Sequence, residues 1–270
     1  MPAIPKNASC IVTGAGSGFG RAIALALGAR GGRVLATDVD EATLAETVEM
    51  LKSRGVTATA MPCDVRDAKQ VEAMVQRAKT DWNAVDVIVN NAGVAVVGPV
   101  GEVSLEDWRF EIDINLYGVI YGCHFAVPIM REQGRGWILN VASAAGLLSP
   151  PEMGPYNVTK AGVVALTETL SAELDGTGVS ASALCPTFFR TNIAKAQRSP
   201  EGLKKQSAHL VENAKWSADE IAQVALRGLE SGRLYVIPQN DGKFAWGMKR
   251  MLGNAFPKLA AKAALRMKRR

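Results

Sequence analysis

Short apolar, β-branched runs alternate with longer amphipathic segments along most of this chain, and that alternation leaves few folds open. The runs include SCIVT at 9–13, RVLATD at 33–38, DVIVN at 86–90 and GWILNVAS at 136–143. Period-two runs separated by helix-length segments predict βαβ units, hence an α/β fold with a parallel sheet covered by helices. Strands are predicted near 8–13, 33–38, 57–62, 86–89, 136–142, 179–184 and 233–236, about seven in all, with helices in most intervals. Continuous apolar stretches such as Val87 to Val89 suit a sheet buried on both faces, and right-handed crossovers then make it doubly wound.

No composition break divides the 270 residues, so 1–240 reads as a single domain, followed by a basic extension at 241–270. That extension explains the net charge of +5: residues 243–270 hold nine Lys or Arg and no acid, and the rest has 22 basic against 26 acidic residues. A body so balanced does not suggest nucleic-acid binding. No basic start leading into a long apolar run occurs, so a soluble, cytoplasmic protein is expected. Cys10, Cys63, Cys123 and Cys185 lack CxxC pairing and read as buried free thiols, with no metal site. The polar stretch 188–215, between the sixth strand and the next helix, reads as a mobile lid.

The first strand runs into Thr13, Gly14, Ala15, Gly16, Ser17, Gly18, Phe19 and Gly20, then into an apolar-periodic helix. Glycines at such a turn let backbone amides approach a pyrophosphate, as in a Rossmann-type nucleotide site; the alternative is a tight structural turn. Asp38 ends the second strand, where a carboxylate can bind both adenosine ribose hydroxyls and repel the extra phosphate of NADP. Neither Ser17 nor Val39 is basic, so NAD is favoured as cofactor; Asp38 as a mere strand end is the alternative. Asp64 and Val65 close the third strand, and Asn90, Asn91, Ala92 and Gly93 the fourth, at strand ends where ligands of open α/β sheets bind. Asp64 is placed to hold the adenine amino group and Gly93 to let backbone pass close, while Asn90 reads equally well as a tie between strands.

Tyr156 and Lys160, four apart on a predicted helix, share one face. A phenol with an ordinary pKa of about 10 is a poor base near neutrality, and a neighbouring ammonium favours the phenolate. Thr-Gly-x-x-x-Gly-x-Gly at 13–20, Asn-Asn-Ala-Gly at 90–93, Asn115, Ser143 and Tyr-x-x-x-Lys at 156–160 together resemble the short-chain dehydrogenase/reductase family, over about residues 7 to 238. The resemblance implies that Tyr156 exchanges a proton with the substrate oxygen, Ser143 hydrogen-bonds that oxygen, and Lys160 holds the nicotinamide ribose. It further implies that Asn115 positions a water linking Lys160 to solvent and that Thr191 holds the nicotinamide. Pro186 and Thr187 stand where the family more often has Pro-Gly, and Phe19 replaces a commoner aliphatic residue.

A hydrolase is disfavoured, since only His124 and His209 occur and no GxSxG elbow is present. A cofactor-binding regulator without catalysis is the other alternative. Val94, Val96, Leu147, Leu148, Met153, Phe188 and Phe189 flank the expected reaction centre and favour a bulky hydrophobic or aryl secondary alcohol or ketone, though several can be core. The family's habit implies a homodimer or homotetramer, with apolar stripes near 112–127 and 158–174 as candidate interfaces. Residues 257–270 are predicted to form one amphipathic helix, with Lys258, Lys262, Arg266 and Arg269 along one side and Leu259, Ala260, Ala263, Ala264 and Met267 along another. The preceding segment has its own stripe of Phe244, Met248, Met251 and Leu252 beside Trp246. These stripes either pack on the body or a neighbouring subunit, the favoured reading, or lie on an anionic membrane.

Overall fold

A computed structural model describes residues 3–193 and 197–268. The chain begins β1 (Ser9–Thr13), α1 (Gly18–Ala29), β2 (Arg33–Asp38), α2 (Glu41–Lys52), β3 (Ala58–Pro62), α3 (Ala68–Trp82) and β4 (Val87–Asn90). It continues through α4 (Leu105–Ile112), a π-helical turn (Asp113–Tyr117), α5 (Gly118–Glu132), β5 (Gly136–Val141), α6 (Ala144–Leu148), α7 (Gly154–Glu173) and β6 (Val179–Leu184). The last elements are α8 (Glu201–Glu212), α9 (Ala218–Glu230), β7 (Tyr235–Val236), α10 (Asn240–Leu252) and, after a 3₁₀ turn, α11 (Phe256–Lys268).

The seven strands pair in parallel in the order β3-β2-β1-β4-β5-β6-β7. Strand order reverses between β1 and β4, so the connections leaving their carboxyl ends diverge and open a crevice there. Side chains alternate across each strand: Cys10 and Val12 face a core with Ile23 and Leu27 of α1 and Ile221 and Leu226 of α9, whereas Ile11 faces Met74 of α3, Ala126 of α5 and Val163 of α7. Each fully buried Ile or Leu contributes about 1.5–3 kcal/mol, and both cores press on the same strands. Helix starts are fixed locally: Asp40, Ser104 and Ser217 accept from the backbone N–H three residues on, Asp67 from that of Lys69, and Ser217 with Glu220 completes a capping box.

Three expectations are adjusted. The seventh strand is only Tyr235–Val236, because Arg233 and Leu234 lie in the approach to it. The stretch 188–215 contains α8, whose polar exterior hid its helical period; Arg198 N–H bonds Ala95 O and Val97 N–H bonds Arg198 O, tying the stretch to the segment after β4. Val96 and Leu147 are core. The helix predicted over 257–270 is α11, and the striped segment before it is α10; Arg269, and the side chains of Ala263, Arg266 and Met267, fall outside the described residues. The four cysteines are buried and free, as expected, and His124 and His209 are exposed.

The continuous helical run Leu105–Glu132 has 28 residues, and an 18-residue window within it has a mean hydropathy of 1.2. It packs against α3 and α7 and carries buried Glu111 and Asn115 inward. Its apolarity is that of a helix laid on a sheet. The π turn at its middle inserts extra backbone at Asp113–Tyr117, a feature often found at functional sites.

Candidate active site

One cavity of about 660 Å³ opens along the carboxyl ends of the strands. Gly14, Ser17, Gly18, Phe19, Gly20, Asp38, Asp64, Val65, Asn91, Ala92 and Gly93 line one end, and Ser143, Tyr156, Lys160, Pro186 and Thr191 line the other. Asn115 is fully buried behind the wall rather than in it.

The end that carries the glycines is shaped by close backbone contacts. Gly14 has φ of +64°, and a Cβ there would lie 2.8 Å from Asn91 Nδ2 and 2.9 Å from Ala92 Cα. At Gly20 a Cβ would lie 1.9 Å from Gly14 O, so the helix can meet the turn this closely only without a side chain. Asn91 donates to Thr13 O at 2.8 Å and Gly14 O at 3.1 Å, while Thr13 Oγ1 accepts from the N–H groups of Asn91 and Ala92, both at 3.0 Å. These bonds lock the β1 and β4 loops to each other. They leave Ser17, which begins α1 without a side-chain cap bond, beside a helix N-terminus suited to an anion.

Asp38 Oδ2 accepts from Gly16 N–H at 2.9 Å and Oδ1 from Asp40 N–H at 3.1 Å, so its carboxylate is fixed at the cavity rim. Arg21 is the nearby cation, but its guanidinium is spent on Gly16 O, Thr43 O, Thr47 Oγ1 and Glu46. Asp64 is gripped by Arg66, whose hydrogen bonds hold its carboxyl below the usual carboxylate range. Val65 packs on Gly118, where a Cβ would come within 2.9 Å of it. Asn90 donates to Asn140 Oδ1 at 2.8 Å and so ties β4 to β5.

The opposite end is made of side chains. Ser143 follows β5 and caps α6, its Oγ accepting from Ala145 N–H at 3.1 Å, which leaves the O–H free to donate. Tyr156 and Lys160 stand one turn apart on α7, and the Lys160 nitrogen lies 5.7 Å from the centre of the Tyr156 ring. Lys160 is 3% exposed and donates to Val141 O at 2.8 Å. Burial pulls this ammonium down to about 8, against the opposing pull of Glu111. The Tyr156 ring keeps a partly exposed face toward the cavity, but its hydroxyl is desolvated and pushed up to about 12, with Ser143 opposing the rise. Asn115 bonds both backbone groups of Val94, accepting at 2.8 Å and donating at 2.9 Å, and so holds the loop in front of Lys160.

Val94, Leu148, Met153, Phe188 and Phe189 line the apolar part of the cavity. Phe19 meets Phe189 edge to face with centroids 6.0 Å apart, a use for an aromatic between the glycines that the sequence did not reveal. Thr187 N–H bonds Gln239 Oε1 at 3.0 Å, and its hydroxyl lies 3.3 Å from Asp241, so the residue in place of the commoner glycine fastens this loop to α10. Thr191 Oγ1 lies where a Cβ on Gly18 would come within 2.9 Å, joining the two ends of the cavity. Sequence reasoning missed Glu111, and also Phe110, Ile114, Ser207 and Val211 of the cavity lining. A lone acid within an amphipathic helix reads as solvated, and only packing shows that this one is not.

The profile of the short chain dehydrogenase family matches residues 8–202. The chain is 36% identical over 186 residues to a diacetyl reductase [(S)-acetoin forming] of Staphylococcus epidermidis, covering 68% of this chain and 72% of that one. It is 36% identical over 221 residues to a D-threitol dehydrogenase of Mycolicibacterium smegmatis, covering 80% and 83%. A crystal structure of a short chain dehydrogenase/reductase from Burkholderia phymatum in complex with NAD superposes with a TM-score of 0.89 at 34% identity, covering 93% of this chain and 95% of that one.

Proposed function

Since the chain belongs to the short-chain dehydrogenase/reductase family and is an oxidoreductase of it, we propose that it transfers hydride between NAD(H) and a bulky hydrophobic or aryl secondary alcohol or ketone. The observation that carries this reading is a single cavity with a side-chain-free anion cradle at one end and Ser143, Tyr156 and Lys160 at the other. NAD(H), when bound, supplies or accepts the hydride. In the reducing direction Tyr156 gives its hydroxyl proton to the carbonyl oxygen, and Ser143 donates a hydrogen bond to that oxygen. Lys160 holds the nicotinamide ribose and favours the phenolate that Tyr156 becomes. Asn115 supports the proton relay by fixing the loop at Val94, since its side chain is already committed there.

Asp38 supports the preference for NAD: its carboxylate, fixed by two backbone donors at the cavity rim, would hold the adenosine ribose, and the neighbouring Arg21 is paired with Glu46 at 2.8 Å. Thr191 and Pro186, both in the cavity wall, would border the nicotinamide. Oxidation of steroid, aryl and aliphatic secondary alcohols, each with NAD and with NADP, tests substrate and cofactor together. A preference for NADP, or turnover confined to small charged acids, would contradict this reading.

Residues 1–240 act as the catalytic unit in this reading, and the protein works in the cytoplasm as a homodimer or homotetramer. Half-exposed Tyr117 and Val158 lie on the helices that would pair, and a monomer in light scattering at micromolar concentration would exclude it. The extension 241–270 packs partly on the body, through Trp246 on Tyr235 and Lys249 Nζ on Leu147 O at 2.6 Å. Phe244 and Met251, 71% and 88% exposed, lie near Lys243 and Arg250 and suit contact with an anionic membrane. Salt-sensitive sedimentation with anionic liposomes, lost on truncation at Asn240, is expected if that contact forms. Absence of binding at low salt rejects it.

A further inference from the structure

One turn before Asn115, α4 buries a carboxyl that the reaction above does not use. Glu111 is fully buried, and its Oε1 accepts from Asn115 Nδ2 at 3.0 Å. A Cβ placed on Gly93 would lie 3.1 Å from Asn115 Oδ1 and 3.6 Å from Lys160 Nζ. Asn115 and Lys160 therefore both border Gly93, and Glu111 is hydrogen-bonded to the first of them. An amide at position 111 could accept from Asn115 equally well and would be far cheaper to bury than a carboxylate. The acid also feels the Val96 backbone N–H and the Lys160 ammonium, so its surroundings offer more than the one hydrogen bond from Asn115.

We propose that Glu111 is a positioning residue for hydride transfer, its buried carboxylate holding the Lys160 side chain in the charged form. The inference rests on the role given to Lys160 above. Burial pushes the Glu111 carboxyl up to about 8, while the Val96 backbone N–H and Lys160 oppose the rise. Lys160 is pulled down to about 8 by the same burial, and Glu111 is the larger of the two groups resisting it, Cys185 the smaller. The other titratable groups at this pair are Tyr156 on α7 and Cys185 after β6, both pushed up to about 12 by burial and so uncharged near neutrality; Glu168 bears on Cys185. The position of Lys160 near 8 already includes the pull of Glu111, which ionises over the same range, so without that acid the ammonium would give up its proton at a lower pH. The paired ionisation extends the alkaline range over which Lys160 can hold a ribose and stabilise a phenolate.

The test compares the full-length wild type with Glu111→Gln, Glu111→Asp and Glu111→Leu. Measurements are NADH binding by fluorescence from pH 7 to 10, the pH profile of kcat/KM for ketone reduction, and infrared difference spectra of the cofactor-free chain. In Glu111→Gln, which keeps an acceptor for Asn115, the alkaline limb of both binding and kcat/KM should move down by about one pH unit, with Glu111→Asp recovering part of the shift. A carboxyl band titrating near pH 8 should be present in wild type and absent in Glu111→Gln. Profiles of Glu111→Gln that overlay wild type at every pH, with only Glu111→Leu impaired, would reduce Glu111 to an acceptor for Asn115 and overturn the proposal. A wild type that reduces no ketone would strike at the reaction itself, while the binding and infrared measurements would still decide the Glu111–Lys160 coupling.

Discussion

At the nucleotide end of the cavity the wall is backbone, brought close by Gly14 and Gly20 and clamped by Asn91 and Thr13; at the reaction end it is the desolvated side chains of Ser143, Tyr156, Lys160 and, behind them, Glu111. The first end works by shape and by helix-terminal N–H groups, which do not titrate. The second works by burying groups whose charge depends on pH, with Tyr156 moved up and Lys160 down. Mutation and pH should therefore separate the ends: added volume ruins the first, and lost or shifted protons ruin the second.

The largest separation is expected from Tyr156→Phe, which deletes one hydroxyl and no cradle atom. Turnover should fall by about 10²- to 10⁴-fold while NADH affinity, measured by fluorescence, stays near wild type. Gly20→Ala attacks the other end, since the new methyl meets Gly14 O; overpacking of about 1–3 kcal/mol should lower both the melting temperature and NADH affinity. Lys160→Ala touches both ends through the ribose, so NADH affinity and kcat should fall together, each by about tenfold or more. Unchanged affinity would remove the ribose contact from the account. Asp38→Ala should narrow the NAD over NADP ratio of kcat/KM by about tenfold through lost ribose bonds and lost repulsion of a phosphate. The smallest effect is the pH response of the wild type. The buried Tyr156 phenol is raised, so it stays protonated through neutrality, and alcohol oxidation, which needs the phenolate, should quicken as pH rises from 7 to 9.

The same contrast explains which features are legible in the amino-acid sequence. The glycines at 14–20, Asp38 and Asn91 to Gly93 are legible because backbone needs few residue types and fixes their spacing; β2 and β6 likewise fall on the predicted residues. Tyr156, Lys160 and Ser143 are legible as a motif, but their protonation is not, because desolvation depends on what packs around them. Glu111 carries no signal, being one acid among the polar residues of LEDWRFEI. α8 is hidden because its outer face is polar and its inner contacts, Ser207 and Val211, are to the cavity rather than to a core. The shortening of the seventh strand likewise reflects its place at the sheet edge, paired on one side only to β6.

The central claim is that the two ends meet in one reaction, and isotope transfer tests it most directly. Wild type and Tyr156→Phe would each be incubated with NADH deuterated at the nicotinamide C4 position and a panel of aryl and cyclic ketones, and the product alcohols examined for label. Deuterium on the carbinol carbon with wild type, at a rate greatly reduced in Tyr156→Phe, is the predicted result. Tight NADH binding with no label transferred to any ketone would instead describe a protein that has the nucleotide end without the chemistry, and would contradict the account.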